Sequence, residues 1–351
     1  MNILFIGPYR QMDGWGDSAY NIIKSLCTTD VDLTLRHIYL SNCLLRQDQL
    51  LDNLESKTHN KYDVIIQNCL PEFFSYYHGS KNIGFLSTET CRLNTTPWIP
   101  YLNLMDEIWV HSTIEIKHLQ NAGCTTPIYS IGSATDVSQF DIPKQPRLAQ
   151  DFTFYSIGNG ERKNFEALIL AFYLEFARNE PVELLIKTSN NLSLSEYISK
   201  LGIYKNIEQY KPIHLVNQYL SEEQLINLHQ TCDCFIMPSR GEAWCRPALD
   251  ALGYGNTPIV TANTGMIDFI NDKNGWVVTS KEVPIIAQQK PLPYLYTARD
   301  TWYEIDVLEL CKAMRQAYIS NKSKSSIGIS TVKELYSYQN IGKELYAKLS
   351  K

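Results

Sequence analysis

No run of lysine and arginine occurs in the 351 residues, and 32 Lys plus Arg against 37 Asp plus Glu leave a formal net charge of −5. The simplest electrostatic case for a nucleic-acid partner is thereby removed, leaving only a local basic groove, and small, neutral or phosphorylated partners are favoured. No stretch approaches the roughly 18 uncharged apolar residues of a membrane span. The opening MNILFIGPYR has no basic leader and soon turns polar. The expectation is a cytoplasmic protein with at most peripheral contact to a membrane. The nine cysteines (27, 43, 69, 91, 124, 232, 234, 245 and 311) contain no C-x-x-C pair that could start a zinc site or redox motif. Odd in number and scattered, they read as reduced thiols. Cys232 and Cys234, in the apolar run CDCFIM, are expected on one face of a strand as packing residues, so no metal is expected there. Short-period repeats and low-complexity tracts are also missing.

Apolar residues make up 44% and charged residues 20%, and 22 Tyr, 12 Phe and 6 Trp can anchor sizeable cores, which excludes disordered, collagen-like and coiled-coil chains. At about 150 residues per domain the length suggests two domains. Short apolar runs alternate with segments of helical period: NILFIG, YDVIIQN, NIGFLS, EIWVHS and PIYSIG, then FTFYSIG, VELLIKT, PIHLVNQ, CFIMPS, TPIVTAN and GWVVTS. Such alternation predicts parallel sheets covered by helices. Ala19, Ile22, Ile23 and Leu26 mark one amphipathic helix, and Phe165, Leu168, Ile169, Phe172 and Phe176 another. Residues 141–150, within the aperiodic FDIPKQPRLAQD, read as a linker between domains over 1–140 and 151–330. A last helix near 338–349, in a 331–351 tail, has Ile341, Leu345 and Leu349 to pack on either domain. Each half then reads as a doubly wound α/β unit whose ligands bind just past the carboxyl ends of its strands, and two such domains facing each other make a cleft.

After CFIMPS comes RGEAWCRPALDALGYGNTPIV. Pro247 suits the first turn of a helix, and Gly253 or Gly255 can end it. The loop Gly241–Arg246 thus sits at a helix N-terminus, where free N–H groups and the dipole form an anion site. Glu242 and Asp250 flank that site. A carboxylate is repelled by phosphate, so each fits hydroxyls of a sugar or ribose; the alternative is that Glu242 merely supports the helix start. This stretch, followed by Thr264-Gly265 and NDKNGWVV, closely resembles the donor-binding signature of glycosyltransferase family 4 in the GT-B fold, over residues 151–280. The resemblance implies that Glu242 meets donor-sugar hydroxyls and that Asp250 takes the ribose, standing where the family usually has Glu. It further implies that amides of Ala243, Trp244, Cys245 and Arg246 hold the diphosphate.

In SIGNGERKNFEALILAF, Arg162 and Lys163 precede an amphipathic helix that Asn164 could cap. Alone they could be solvated cations; the resemblance gives them the donor diphosphate and, with Glu242, the catalytic roles. Lys187, ending VELLIK, fits either the same sheet edge or a snorkelling surface lysine. Ser221 and Gln224 form a capping-box spacing before a helix starting near Glu222, and by resemblance Asn217–Leu220, including Tyr219 and Leu220, border the base. Gly14 and Gly16 precede a helix expected to begin near Asp17 or Ser18. They read either as an unliganded turn or, by resemblance, as the family's N-terminal loop, with Gly16 bringing backbone close to the sugar or phosphate. Glu89 stands where some family members read W-E, with Thr88 replacing the tryptophan, and has an acceptor-side or a structural role. His111 ends a strand, a position that suits a structural histidine or an acceptor-side one; around Asn68, where many relatives carry a histidine, there is none. Asp30-Val31-Asp32 imitates a metal-binding D-x-D but opens a strand ahead of any donor site.

The resemblance thus implies a GT-B α/β fold, with an N-terminal acceptor domain and a C-terminal donor domain. It implies transfer from a nucleotide-diphosphate sugar of UDP- or GDP-hexose type to a glycan or glycolipid hydroxyl, with retention of configuration, no metal and no cofactor. Competing readings are a nucleotide-sugar epimerase of the same fold, a non-catalytic nucleotide-sugar-binding relative, and a transferase acting on DNA or protein.

Overall fold

The structure is a computed structural model that describes residues 1–93, 96–142, 151–189, 199, 201, 210–286, 297–320 and 325–351. Most of the expected linker, 143–150, lies outside these. Two compact units result: residues 1–136, 285–301 and 334–351 form the first, and 137–284 with 302–333 the second.

In the first unit β1 (Asn2–Gly7), β2 (Asp32–His37), β3 (Val64–Asn68), β4 (Lys81–Phe85), β5 (Glu107–Val110) and β6 (Ile128–Ser130) form one sheet in the order β2-β1-β3-β4-β5-β6. Every pairing in it is parallel. Except at the edge strand β2, its strands are largely apolar runs, as burial on both faces requires, and Ile3, Phe5, Ile66, Ile83, Phe85 and Trp109 are fully buried. The helices are α1 (Gly14–Leu26), α2 (Gln49–Glu55), α3 (Trp98–Leu102) and α4 (Thr113–Asn121).

The second unit holds β7 (Phe152–Ile157), α5 (Phe165–Glu175), β8 (Val182–Thr188), β9 (Ile213–Asn217), α6 (Glu222–Thr231), β10 (Cys234–Met237), α7 (Arg246–Gly253), β11 (Ile259–Thr261) and β12 (Trp276–Val278). Then follow the paired β13 (Ser280–Pro284) and β14 (Thr301–Ile305), and α8 (Val307–Ser320) and α9 (Ser325–Leu335). Its sheet runs β9-β8-β7-β10-β11-β12, again parallel. This is the 3-2-1-4-5-6 order of dinucleotide-binding sheets, whose direction of winding reverses between β7 and β10. Phe165, Leu168 and Phe172 of α5 pack with Leu310 and Met314 of α8 over Phe154, Leu184 and Ile236. Each such buried side chain stabilises the unit by roughly 1.5–3 kcal/mol.

The chain returns to the first unit twice after leaving it, an arrangement periodicity does not carry. The last helix, α10 (Tyr338–Leu349), buries Ile341, Leu345 and Leu349, and its Gly342 lies so close to Ser25 that a Cβ would sit 2.4 Å from the Ser25 carbonyl oxygen. Buried Asp300 accepts hydrogen bonds from Thr90 Oγ1 at 2.6 Å and Arg92 N at 2.9 Å.

Two local expectations need correction. Helix α1 starts at Gly14, because the Asp13 carboxylate caps it by accepting from Gly16 N at 2.9 Å, so both glycines lie in its first turn. Cys232 ends α6 and precedes the strand that Cys234 begins, although both are buried. All nine cysteines are free thiols. No helix among the described residues is long and apolar enough to cross a membrane.

Candidate active site

The switch point of the second sheet puts the loops after β7 and β10 side by side. Gly160, at φ +86°, turns the chain into one 3₁₀ turn, Glu161–Lys163, and Asn164 in the left-handed region (φ 58°) redirects it into α5. Asn164 occupies the cap position, yet its side chain does not cap: Nδ2 donates instead to Glu304 Oε1 at 2.7 Å. A Cβ on Gly158 would come within 2.8 Å of the Lys163 stem, so that glycine makes room for the lysine to lie back over the loop.

Both cations reach one carboxylate. Lys163 Nζ donates to Glu242 Oε1 at 2.5 Å and Arg162 Nη1 to the same oxygen at 2.9 Å. Arg162 Nη1 also donates to the carbonyl of Gly241 and, at 3.4 Å, to Ser239 Oγ. Burial pushes the Glu242 carboxyl up, but the charges of Lys163 and Arg162 outweigh it and hold the group at about 2. Two cations against one ionised carboxylate leave this corner positive.

Glu242 leads directly into α7. Ala243, Trp244 and Cys245 are buried, with Trp244 packed on Phe269 at 4.7 Å between ring centroids. Cys245 sits just before the helix at φ 75° with no side-chain cap, and Pro247 falls in the first turn. First-turn N–H groups of a helix have no intrahelical acceptor, which together with the dipole suits an anion. Burial pushes the Cys245 thiol up to about 12, so it stays protonated beside Glu242. Arg246 and Asp250 are half-buried and four residues apart, hence on one face of α7. Leu220 is buried and Tyr219 exposed between β9 and α6, whose N-terminus Ser221 caps through Gln224 N at 3.3 Å. Burial also pushes the Lys187 ammonium down.

In the first unit, Gly16 serves a neighbour in its own unit. It is buried, and a Cβ there would lie 2.0 Å from the Gln11 carbonyl oxygen, whereas Gly14 faces open space. Just past β5, His111 Nε2 lies 2.8 Å from Ser18 Oγ, its ring stands 4.8 Å from Phe85, and burial pushes it down to about 4, which keeps it neutral. Glu89 is half-buried in the loop after β4. Sequence reasoning missed Glu115, a wholly buried carboxyl that accepts from Thr88 N (2.6 Å), His111 N (3.0 Å) and Ser112 N (3.0 Å) and so ties the loops after β4 and β5 together. The signal was Ser112-x-x-Glu115, a capping box. At the carboxyl ends of strands in the same sheet, β3, β4 and β6, Asn68 Oδ1, Thr88 Oγ1 and Ser133 Oγ are buried with no hydrogen-bond partner among the described residues. No group of three or more His, Cys, Asp or Glu that could hold a metal ion occurs among the described residues.

Comparison with known proteins bears on this geometry. Residues 138–289 match the family model described as Glycosyl transferases group 1. Sucrose-phosphate synthase from Thermosynechococcus elongatus superposes with a TM-score of 0.67 at 14% identity, over 100% of this chain and 99% of that one. The fold is GT-B. Anabaena HepE in complex with UDP-glucose gives 0.68 at 12% identity, over 100% and 99% of the two chains. S. aureus TarM, in a complex that includes UDP, gives 0.60 at 12%, over 82% of this chain and 55% of that one. No curated protein matches the sequence. The stretch that resembles the glycosyl transferase group contains Arg162, Lys163, Glu242 and the N-terminus of α7.

Proposed function

We propose that this GT-B enzyme moves a sugar from a nucleotide-diphosphate donor to a hydroxyl of a glycan or glycolipid in the cytoplasm. Configuration is retained, as in family 4, and no metal is needed. The observation that carries the reading is the convergence of Arg162 and Lys163 on Glu242 beside the α7 N-terminus at the switch point. The UDP-glucose of the HepE complex favours UDP over other nucleotides.

As the glycosidic bond to the diphosphate breaks, positive charge builds on the sugar ring and negative charge on the leaving group. Arg162, Lys163 and the amides of Ala243–Arg246 stabilise that leaving charge from fixed positions, which costs no reorganisation at the moment of reaction. Glu242, held ionised, accepts hydrogen bonds from donor hydroxyls once the cations turn to phosphate. Asp250 takes the ribose, and backbone near Tyr219 and Leu220 borders the base. The unpartnered atoms Asn68 Oδ1, Thr88 Oγ1 and Ser133 Oγ and the neutral His111 support an acceptor that offers hydroxyls and no charge, because buried polar groups without partners are costly.

The test is to incubate the enzyme with UDP-glucose, with and without neutral glycan and glycolipid acceptors. UDP release is followed, and the anomeric configuration of the product is read by NMR. Acceptor-dependent release, unaffected by EDTA, with the donor's anomeric configuration kept, is the expected result. An inverted product contradicts retention. Conversion of the donor sugar without acceptor means an epimerase, and binding with no turnover a non-catalytic relative.

A further inference from the structure

We infer that Glu304 is a positioning residue for Arg162 and Lys163, an inference that rests on the donor reading above. Glu304 lies on β14, outside the stretch that matches the family model. Its carboxylate is divided between two partners: Oε1 accepts from Asn164 Nδ2 at 2.7 Å, and Oε2 accepts from Arg240 Nε at 2.6 Å.

Arg240 carries the grip onward. Its Nη1 donates to the Glu161 carbonyl at 2.9 Å and its backbone N–H to the Arg162 carbonyl at 2.8 Å. The guanidinium lies 5.2 Å from the Trp302 ring, and its Nη2 is 3.6 Å from Glu166. Arg240 in turn accepts from Tyr303 N at 2.8 Å, next to Glu304 in the chain. Residues 161, 162 and 164 are therefore each tied to the Arg240–Glu304 couple. The Lys163 side chain is not, and reaches Glu242.

The consequence concerns order. The loop contains a single 3₁₀ turn and two positive φ values, so its own backbone hydrogen bonds hold it weakly. A loop fixed before the ligand arrives spares the binding step that ordering cost. Glu304 touches neither cation, so it acts through Asn164 and Arg240.

The experiment measures the dissociation constant of UDP by calorimetry for the wild type, Lys163→Ala, Glu304→Ala, Glu304→Gln and Glu180→Ala. Glu180 pairs with Arg315 at 2.5 Å elsewhere in the same unit, so its variant reports what loss of an ion pair does by stability alone. UDP binding should weaken about tenfold in Glu304→Ala, equivalent to about 1.4 kcal/mol. Glu304→Gln keeps one acceptor oxygen and should fall in between, and Glu180→Ala should bind as the wild type does. If Glu304→Ala does not fold, Glu304→Gln decides alone. Wild-type affinity in the Glu304 variants, with binding lost in Lys163→Ala, overturns this inference and leaves the donor reading intact. A wild type that binds none of UDP, GDP or ADP overturns the donor reading and this inference with it.

Discussion

Replacing Lys163 by alanine separates what the buried ion pair does for stability from what it does for catalysis. At 2.5 Å two unit charges attract by about 7 kcal/mol at an effective dielectric constant near 20, and desolvation of both groups offsets much of this. Deleting one partner of a buried pair typically costs about 3–5 kcal/mol. Here Arg162 stays 2.9 Å from the same oxygen, so a stability loss of about 2–3 kcal/mol is expected. The rate should fall at least a hundredfold, about 3 kcal/mol, the usual loss when one donor to a developing negative charge is removed. Adding Glu242→Gln removes the carboxylate that Arg162 still balances, so it should not restore stability and should leave the rate low. The pH dependence has a definite sign. The Glu242 carboxyl is held at about 2 in the fold, below its ordinary value, so its stabilisation is full above about pH 4.5 and lost as pH falls towards 2; without Lys163 the folded value rises, so the loss is smaller and ends at higher pH. Urea denaturation and initial rates on the three variants provide the assay. Near-normal turnover by Lys163→Ala, or a rate restored in the double variant, would refute the assignment.

Three further outcomes are expected. Gly16→Ala places a Cβ 2.0 Å from the Gln11 carbonyl oxygen, so the first unit should lose about 1–3 kcal/mol of stability, and an unchanged urea midpoint would show that the α1 entry can give way. Glu115, pushed by burial up to about 8, binds its proton more tightly folded than unfolded, so the first unit should lose stability as pH rises from about 4.5 to 8. His111, pushed down to about 4, acts with the opposite sign below about pH 6.5. Urea melts at pH 6.5 and 8 therefore isolate Glu115, and Glu115→Gln should flatten the difference. Ser221→Ala, which removes the cap on Gln224 N, should lower the stability of the second unit by about 1 kcal/mol; no change in midpoint would mean that α6 does not depend on its cap.

Legibility in the sequence followed the range of the interactions involved. The parallel strands were readable because burial on both faces makes them unbroken apolar runs, and α6 because Ser221 and Gln224 satisfy each other within one turn. β2 was marked only as the strand that Asp30-Val31-Asp32 opens and not among the apolar runs, since DLTLRH mixes charge with apolar residues at the sheet edge. β13 and β14 were missed because each is only five residues long and SKEVP is largely polar. The start of α1 depended on an aspartate cap that overrides two glycines. Arg162, Lys163 and Glu242 could be singled out one by one, but their meeting on a single oxygen is set by the strand order, which places β7 beside β10 while about eighty residues separate the partners. Glu304 carried no signal at all: its partners Asn164 and Arg240 are brought to it only by the fold.

The central claim is that the cation pair at the switch point binds a nucleotide diphosphate without help from a metal. Thermal unfolding of the wild type and Lys163→Ala with UDP, GDP or ADP, each with and without EDTA, tests it most directly. One nucleotide at a hundredfold excess over its dissociation constant should stabilise the wild type by about 2.7 kcal/mol, equally in EDTA, and should leave Lys163→Ala unmoved. A shift that EDTA abolishes, or that Lys163→Ala retains in full, would contradict the account.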